Sequence, residues 1–291
     1  MGVTPIQLRD GRWYKRDDLY GGSGSTSGAK LRACEHLIDA AIARGTRTIA
    51  TAASVLSPQH AIVANVCAAR GITSHHIVGA TNDESMARHP SVATALAAGA
   101  IFHHVGCADN ASLQKAAEKL AANIGGEVLH RAIAPADTAS RAEVRAFAEV
   151  GGREVANLPA EVSTLVIPFG SGNSAVGILT GLDMLNRSDV AVRLIGLGPS
   201  RLDWMRARLR DIGVALPAVV EHIDLHGTGY AKYEDRMPES RDGIVFHPAY
   251  EGKVVRYLDV EAPAWWADRD GTTCMWVIGS PDAAKGGQAP R

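Results

Sequence analysis

"VIPFGSGNSAVGILTGL" (166–182) runs from an apolar segment through a turn of glycine, serine and asparagine into a helical pattern. Residues before the turn are apolar on both faces, as in a strand covered by helices on both sides. The turn then presents backbone N–H groups and a helix dipole to an anion. Its glycines let the backbone approach closely, and the hydroxyls of Ser171 and Ser174 add donors. Gly170, Ser171, Gly172, Asn173 and Ser174 are therefore candidates for a phosphate-binding turn. An ordinary tight strand-to-helix connection would use the same residues. As a dinucleotide fingerprint the stretch is incomplete, because the next strand, "VRLIGLG", is followed by Pro-Ser with no acid to hold a ribose.

The rest of the chain repeats this strand–helix pattern. "TRTIATA" (46–52), "SHHIVGA", "IFHHVG", "EVLHRAI", "GIVFHPAY" and "TTCMWVIGS" read as strands. "SPQHAIVANVCAARG" (57–71) and "DNASLQKAAEKLAANIGG" read as helices, the second with an Asp/Asn start and a Gly-Gly stop. A long helix is expected to run through Leu158. The alternation predicts an α/β protein with mostly parallel sheet, and ligands in such sheets sit at the carboxyl ends of strands.

Composition narrows the function classes. Of 291 residues, 46% are hydrophobic and 21% charged, with a net charge of −1. That composition suits a globular protein of one large or two smaller domains and does not favour nucleic-acid binding. Cys34, Cys67, Cys107 and Cys274 are far apart and lack ligand spacing, so reduced thiols are expected and neither zinc nor disulfides. No apolar run reaches the ~18 residues of a membrane span, and no signal core opens the chain. A cytoplasmic protein is the expectation.

A second glycine-rich stretch, "GGSGSTSGAKLRA" (21–33), delivers a single lysine, Lys30, to the start of a helix. It is not a nucleotide P-loop, since Leu31 stands where a Ser or Thr would bind magnesium. A one-phosphate turn and one delivered lysine together suggest a cofactor that carries a phosphate and reacts with an amine. Pyridoxal 5′-phosphate fits. Lys115 and Lys119, four apart on an amphipathic helix, read as its wet face.

"YKRDDL" (14–19) followed by "SGAKLRACEHLI" (27–38) resembles the N-terminal signature of fold-type II pyridoxal-phosphate enzymes, and within them the 1-aminocyclopropane-1-carboxylate deaminase and D-cysteine desulfhydrase group. "TAASVLSPQHA" (51–61), "GSGNS" (170–174) and "FHPAYEGK" (246–253) match further family motifs in order. The resemblance implies that Lys30 is the Schiff-base lysine, that Ser57 and Tyr250 act at the substrate, and that residues 170–174 cradle the phosphate. It also implies that Glu251 faces the pyridine nitrogen. Read without it, Ser57 is a helix N-cap, Tyr250 a packed aromatic and Glu251 a loop carboxylate. The family's Ser-Asn becomes Ser57-Pro58, leaving Gln59 to take over the lost cofactor contact. "IGSP" (278–281) replaces a His-Thr-Gly-Gly type segment and the chain stops early, which predicts an open cleft for a larger substrate.

The resemblance further implies two αβα domains, 46–160 and 1–45 with 161–291, the cofactor between them, and a homodimer. The expected activity is elimination of deaminase or lyase type on an amino-acid-like substrate. The alternatives are a decarboxylase or lyase on an amino acid attached to a larger group such as a modified nucleotide, and a non-catalytic pyridoxal-phosphate binder.

Overall fold

Two parallel sheets organise the chain. The larger is ordered β1 (Ile6–Arg9), β2 (Arg12–Arg16), β12 (Thr273–Val277), β7 (Thr164–Phe169), β8 (Ala191–Gly196), β9 (Val220–Asp224), with only the β1–β2 edge antiparallel. The smaller is ordered β5 (Ile101–His104), β4 (Thr73–Val78), β3 (Thr48–Ala52), β6 (Glu127–Leu129), all parallel. A short hairpin joins β10 (Ser240–Arg241) to β11 (Ile244–Val245). The helices are α1 (Ala29–Ala43), α2 (Gln59–Ala69), α3 (Asp83–Ala87), α4 (Pro90–Ala97), α5 (Asn110–Ile124), α6 (Arg141–Gly152), α7 (Asn173–Met184), α8 (Leu202–Asp211) and α9 (Glu251–Val260). This computed structural model describes residues 2–22, 26–79, 82–106, 109–230, 235–265 and 270–279. Cys107, the Ser280-Pro281 half of "IGSP" and the C-terminal tail lie outside the described residues.

The local signals explain most boundaries. Asp109 caps α5 by accepting the Ser112 N–H at 2.9 Å, and Gly125 stops the helix with a φ of 64°. Three strand or helix readings change. "EVLHRAI" leaves the sheet after Leu129, because Ala132 and Ile133 adopt φ values of 62° and 53°. "GIVFHPAY" yields only β11, since Pro248 has no N–H for a ladder and the chain turns at once into α9. The helix read through Leu158 is α-helical to Gly152 and tightens to a 3-10 turn over Arg153–Asn157.

Packing crosses both domain boundaries drawn from sequence. Cys34, Ile38 and Ala41 of α1 share a core with Ile49, Ile62, Val66 and Leu129 around the smaller sheet. Val144 and Ala148 of α6 instead join Leu165, Ile167 and Leu179 of the larger one. Glycines make that docking possible: a Cβ on Gly181 would stand 2.2 Å from the Gly152 carbonyl. A buried polar knot ties the N-terminal strands to α1. Arg32 grips Asp17 at 2.6 and 2.9 Å, Trp276 Nε1 donates to Asp17 at 3.1 Å, and Glu154 bridges Arg32 and Lys15 at 3.1 and 3.0 Å. The start of α1, three residues before Arg32, is thereby held in place.

Candidate active site

The carboxyl ends of β3, β6, β7 and β12 open on one cavity of about 440 Å³. Lys30, Ser57, Gln59, Gly170, Ser171, Gly172, Ser174, Tyr250 and Glu251 line it. Asn173, grouped with them from sequence, is not on the lining; its side chain donates to the Ala132 carbonyl at 3.4 Å.

Lys30 enters on the first turn of α1. Gly28 precedes it with a φ of 98°, bridges Gly279, and donates to the Tyr20 carbonyl at 3.0 Å. Only a residue without a side chain adopts that conformation freely. The Lys30 amine lies 5.9 Å from the centre of the Tyr250 ring. Burial pushes its pKa below the ordinary lysine value, with the Glu251 charge opposing. Its side chain lines the cavity and is otherwise largely enclosed by protein. A desolvated lysine of this kind is a better nucleophile and base near neutral pH.

Glu251, the first residue of α9, is 1% exposed. Its Oε1 accepts the Ile278 and Gly279 N–H groups, each at 2.9 Å. Its Oε2 is buried with no partner among the described residues, and a Cβ on Gly279 would crowd it at 3.3 Å. Burial raises the carboxyl to about 7 against the pull of those two N–H groups. The ring of His247 stands 4.8 Å from that of Tyr250. Burial, Arg236 and Lys30 push His247 down to about 3, so it is neutral, and its Nδ1 accepts the Ala249 N–H at 3.2 Å.

Two helix N-termini face the cavity and differ in kind. At α7, Gly172 has a φ of 89° and no side chain caps the helix, so the Asn173, Ser174 and Ala175 amides have no partner among the described residues. At α2 two of the three first-turn donors are engaged, and the His60 amide has no partner among the described residues. Ser57 Oγ accepts the Gln59 N–H at 3.2 Å, Ser91 Oγ accepts the Ala61 N–H at 3.2 Å, and Pro58 has none to give. Gln59 is also committed: its Nε2 donates to Thr51 at 2.7 Å and to the His130 carbonyl at 3.4 Å, and its Oε1 accepts the Ala132 N–H at 3.0 Å. These bonds brace the cavity wall that Gln59 lines. Arg131 and Asn110 also line the cavity. Neither was read from sequence, since Arg131 sat inside a segment taken for a strand, and nothing local marks either residue.

An unpartnered set of amides, a desolvated lysine and an orphaned buried carboxylate oxygen fit a group with a phosphate, an electrophilic carbon and a basic ring nitrogen. The family model described as "Pyridoxal-phosphate dependent enzyme" matches residues 2–246. The chain belongs to that family. Its cofactor is pyridoxal 5′-phosphate. Among similar proteins, the O-seryl-dTMP PLP-dependent decarboxylase of Salmonella phage ViI is 28% identical, covering 92% of this chain and 78% of its own. A Pyrococcus horikoshii protein bearing the name of a 1-aminocyclopropane-1-carboxylate deaminase is 25% identical, over 83% of this chain and 76% of its own. The crystal structure of an ACC deaminase homologue superposes with a TM-score of 0.74 at 22% identity, covering 97% of this chain and 91% of that one. This pyridoxal-phosphate enzyme thus has deaminase-like and lyase relatives, and no helix among its described residues is long and apolar enough to cross a membrane.

Proposed function

We propose that this enzyme removes the α-carboxylate from an amino acid whose side chain carries a larger, nucleotide-like group. The observation that carries this reading is the α2 N-terminus, where the His60 amide alone stays unengaged among the described residues. Pro58 offers no N–H, and the Gln59 and Ala61 amides are taken by Ser57 and Ser91. A carboxylate facing this turn finds few donors to anchor it, and an unanchored, desolvated carboxylate is a better leaving group. The phage relative acts on a seryl nucleotide by its name.

Pyridoxal phosphate, when bound, supplies an electron sink conjugated to the substrate α-carbon. The chain's own residues do the rest. Lys30 would hold the cofactor through its amine and would move a proton at the substrate α-carbon. The α7 amides with Ser171 and Ser174 hold the phosphate. Glu251, through its unpartnered Oε2, would hold a proton at the ring nitrogen. Tyr250, beside the Lys30 amine, orients the substrate and exchanges a proton with it, and Ser57 shapes the carboxylate side. Elimination of deaminase type is the second reading, supported by the deaminase-named relative.

The test incubates the holoenzyme with an O-seryl nucleotide and follows carbon dioxide, ammonia and 2-oxo acid together. Carbon dioxide with the matching amine, abolished in Lys30→Ala, is the expected result. Ammonia and oxo acid without carbon dioxide would establish the second reading. A bound cofactor with no turnover at all would leave a non-catalytic binder. On the same reading the protein is a cytoplasmic homodimer, checked by light scattering, and its two units divide before α1 and before α6 instead of at 46 and 160.

A further inference from the structure

Beside the reacting cavity lies a second one of about 250 Å³. The two share Arg131 and Asn110. We infer that Arg131, assisted by Asn110, is an anion subsite for a phosphate monoester on the distal group of the substrate. The inference rests on the proposed reading of an amino acid carried on a larger group.

Arg131 is exposed and forms no ion pair among the described residues, whereas Arg16, Arg32, Arg44, Arg70 and Arg193 all do. Its backbone is unusually well anchored for an exposed residue. The next amide donates to Gln59 Oε1 on α2 at 3.0 Å, and the next carbonyl accepts from Asn173 on α7 at 3.4 Å. Ala132 and the fully buried Ile133 hold φ values of 62° and 53°. A β-branched residue enters that region only when its surroundings impose it, and such residues gather at ligand sites. The turn therefore anchors the backbone beside an exposed arginine that lines both cavities. A guanidinium fork matches a phosphate with two parallel hydrogen bonds. Asp137 on the second cavity's wall is left as an acceptor for a hydroxyl or ring N–H of the same ligand.

The cofactor's own phosphate is the competing source of an anion, and the experiment separates the two. Wild-type holoenzyme, Arg131→Gln and Asn110→Ala are titrated by calorimetry with dTMP and with thymidine, and each apoprotein with pyridoxal phosphate. The expected result is that dTMP binds the wild type at least ~10-fold more tightly than thymidine does, and that Arg131→Gln weakens dTMP by ~10–100-fold. Thymidine and cofactor affinities stay unchanged, and Asn110→Ala shows a smaller loss of the same kind. Equal binding of dTMP and thymidine, no dTMP binding, or a loss confined to pyridoxal phosphate would overturn the inference. Binding is read without turnover. Arg131-dependent dTMP binding with no carbon dioxide release would therefore defeat only the decarboxylase reading, while carbon dioxide release without a phosphate preference would defeat only this one.

Discussion

Removing the cofactor should make this protein sensitive to alkali through one carboxyl. Glu251 is buried, its Oε1 is satisfied by two N–H groups, and its Oε2 has no partner among the described residues. Burial raises it from 4.5 to about 7. A group whose folded pKa is raised contributes stability that is fully present below the unfolded value and is lost as pH rises through the folded one. For Glu251 that window is pH 4.5 to about 7, and at ~1.4 kcal/mol per pH unit the loss is about 3 kcal/mol. Glu251→Gln keeps the oxygen that accepts the two N–H groups and removes the titration. Urea denaturation of the stripped protein from pH 5 to 8.5 should show wild type losing about 2–3 kcal/mol relative to the variant, or roughly 6 °C in Tm. Restoring pyridoxal phosphate should shrink that difference in the wild type, because the carboxylate then gains a cationic neighbour, while activity in the variant falls. Parallel pH profiles for the two stripped proteins would refute the assignment of Glu251 as the uncompensated charge.

Three other outcomes follow from the same geometry. Gly172→Ala puts a Cβ 2.9 Å from Trp204 at a φ of 89°, so it should cost about 1–2 kcal/mol and weaken pyridoxal phosphate binding about tenfold, read by fluorescence titration. Asp17→Asn leaves Arg32 buried with half its partner, and urea melts should show a loss of about 3–5 kcal/mol together with a slower reaction of Lys30. His60, 3.1 Å from His76 in the smaller sheet's core, is pushed down to about 4 by burial. A depressed histidine loses its contribution as pH falls from 6.5 toward 4, so thermal melts of wild type should soften over that window by about 3 kcal/mol and those of His60→Asn by less.

Local chemistry written along the chain was legible without the structure. The strand–glycine–helix pattern at 164–184, the capped α5 and the lysine delivered at position 30 each depend on neighbours in sequence, and these readings survive in the fold. The antiparallel β1–β2 hairpin, β9 and α9 are short elements with weak periodicity and went unread, since what fixes each is its packing on the rest of the fold. The sequence reads Ser57 as the N-cap of α2, whereas Pro58 takes that position and Ser57, one residue earlier, accepts only the Gln59 N–H.

Residue types and their order determined an α/β pyridoxal-phosphate enzyme with a glycine-rich strand-to-helix turn and one lysine at the start of a helix. Burial and long-range hydrogen bonds decided the rest: which oxygen of Glu251 stays unpaired, why Gln59 braces a wall, and where Arg131 stands. Those properties are set by residues from different strands meeting at one cavity, and desolvation there exists only once the sheets have come together.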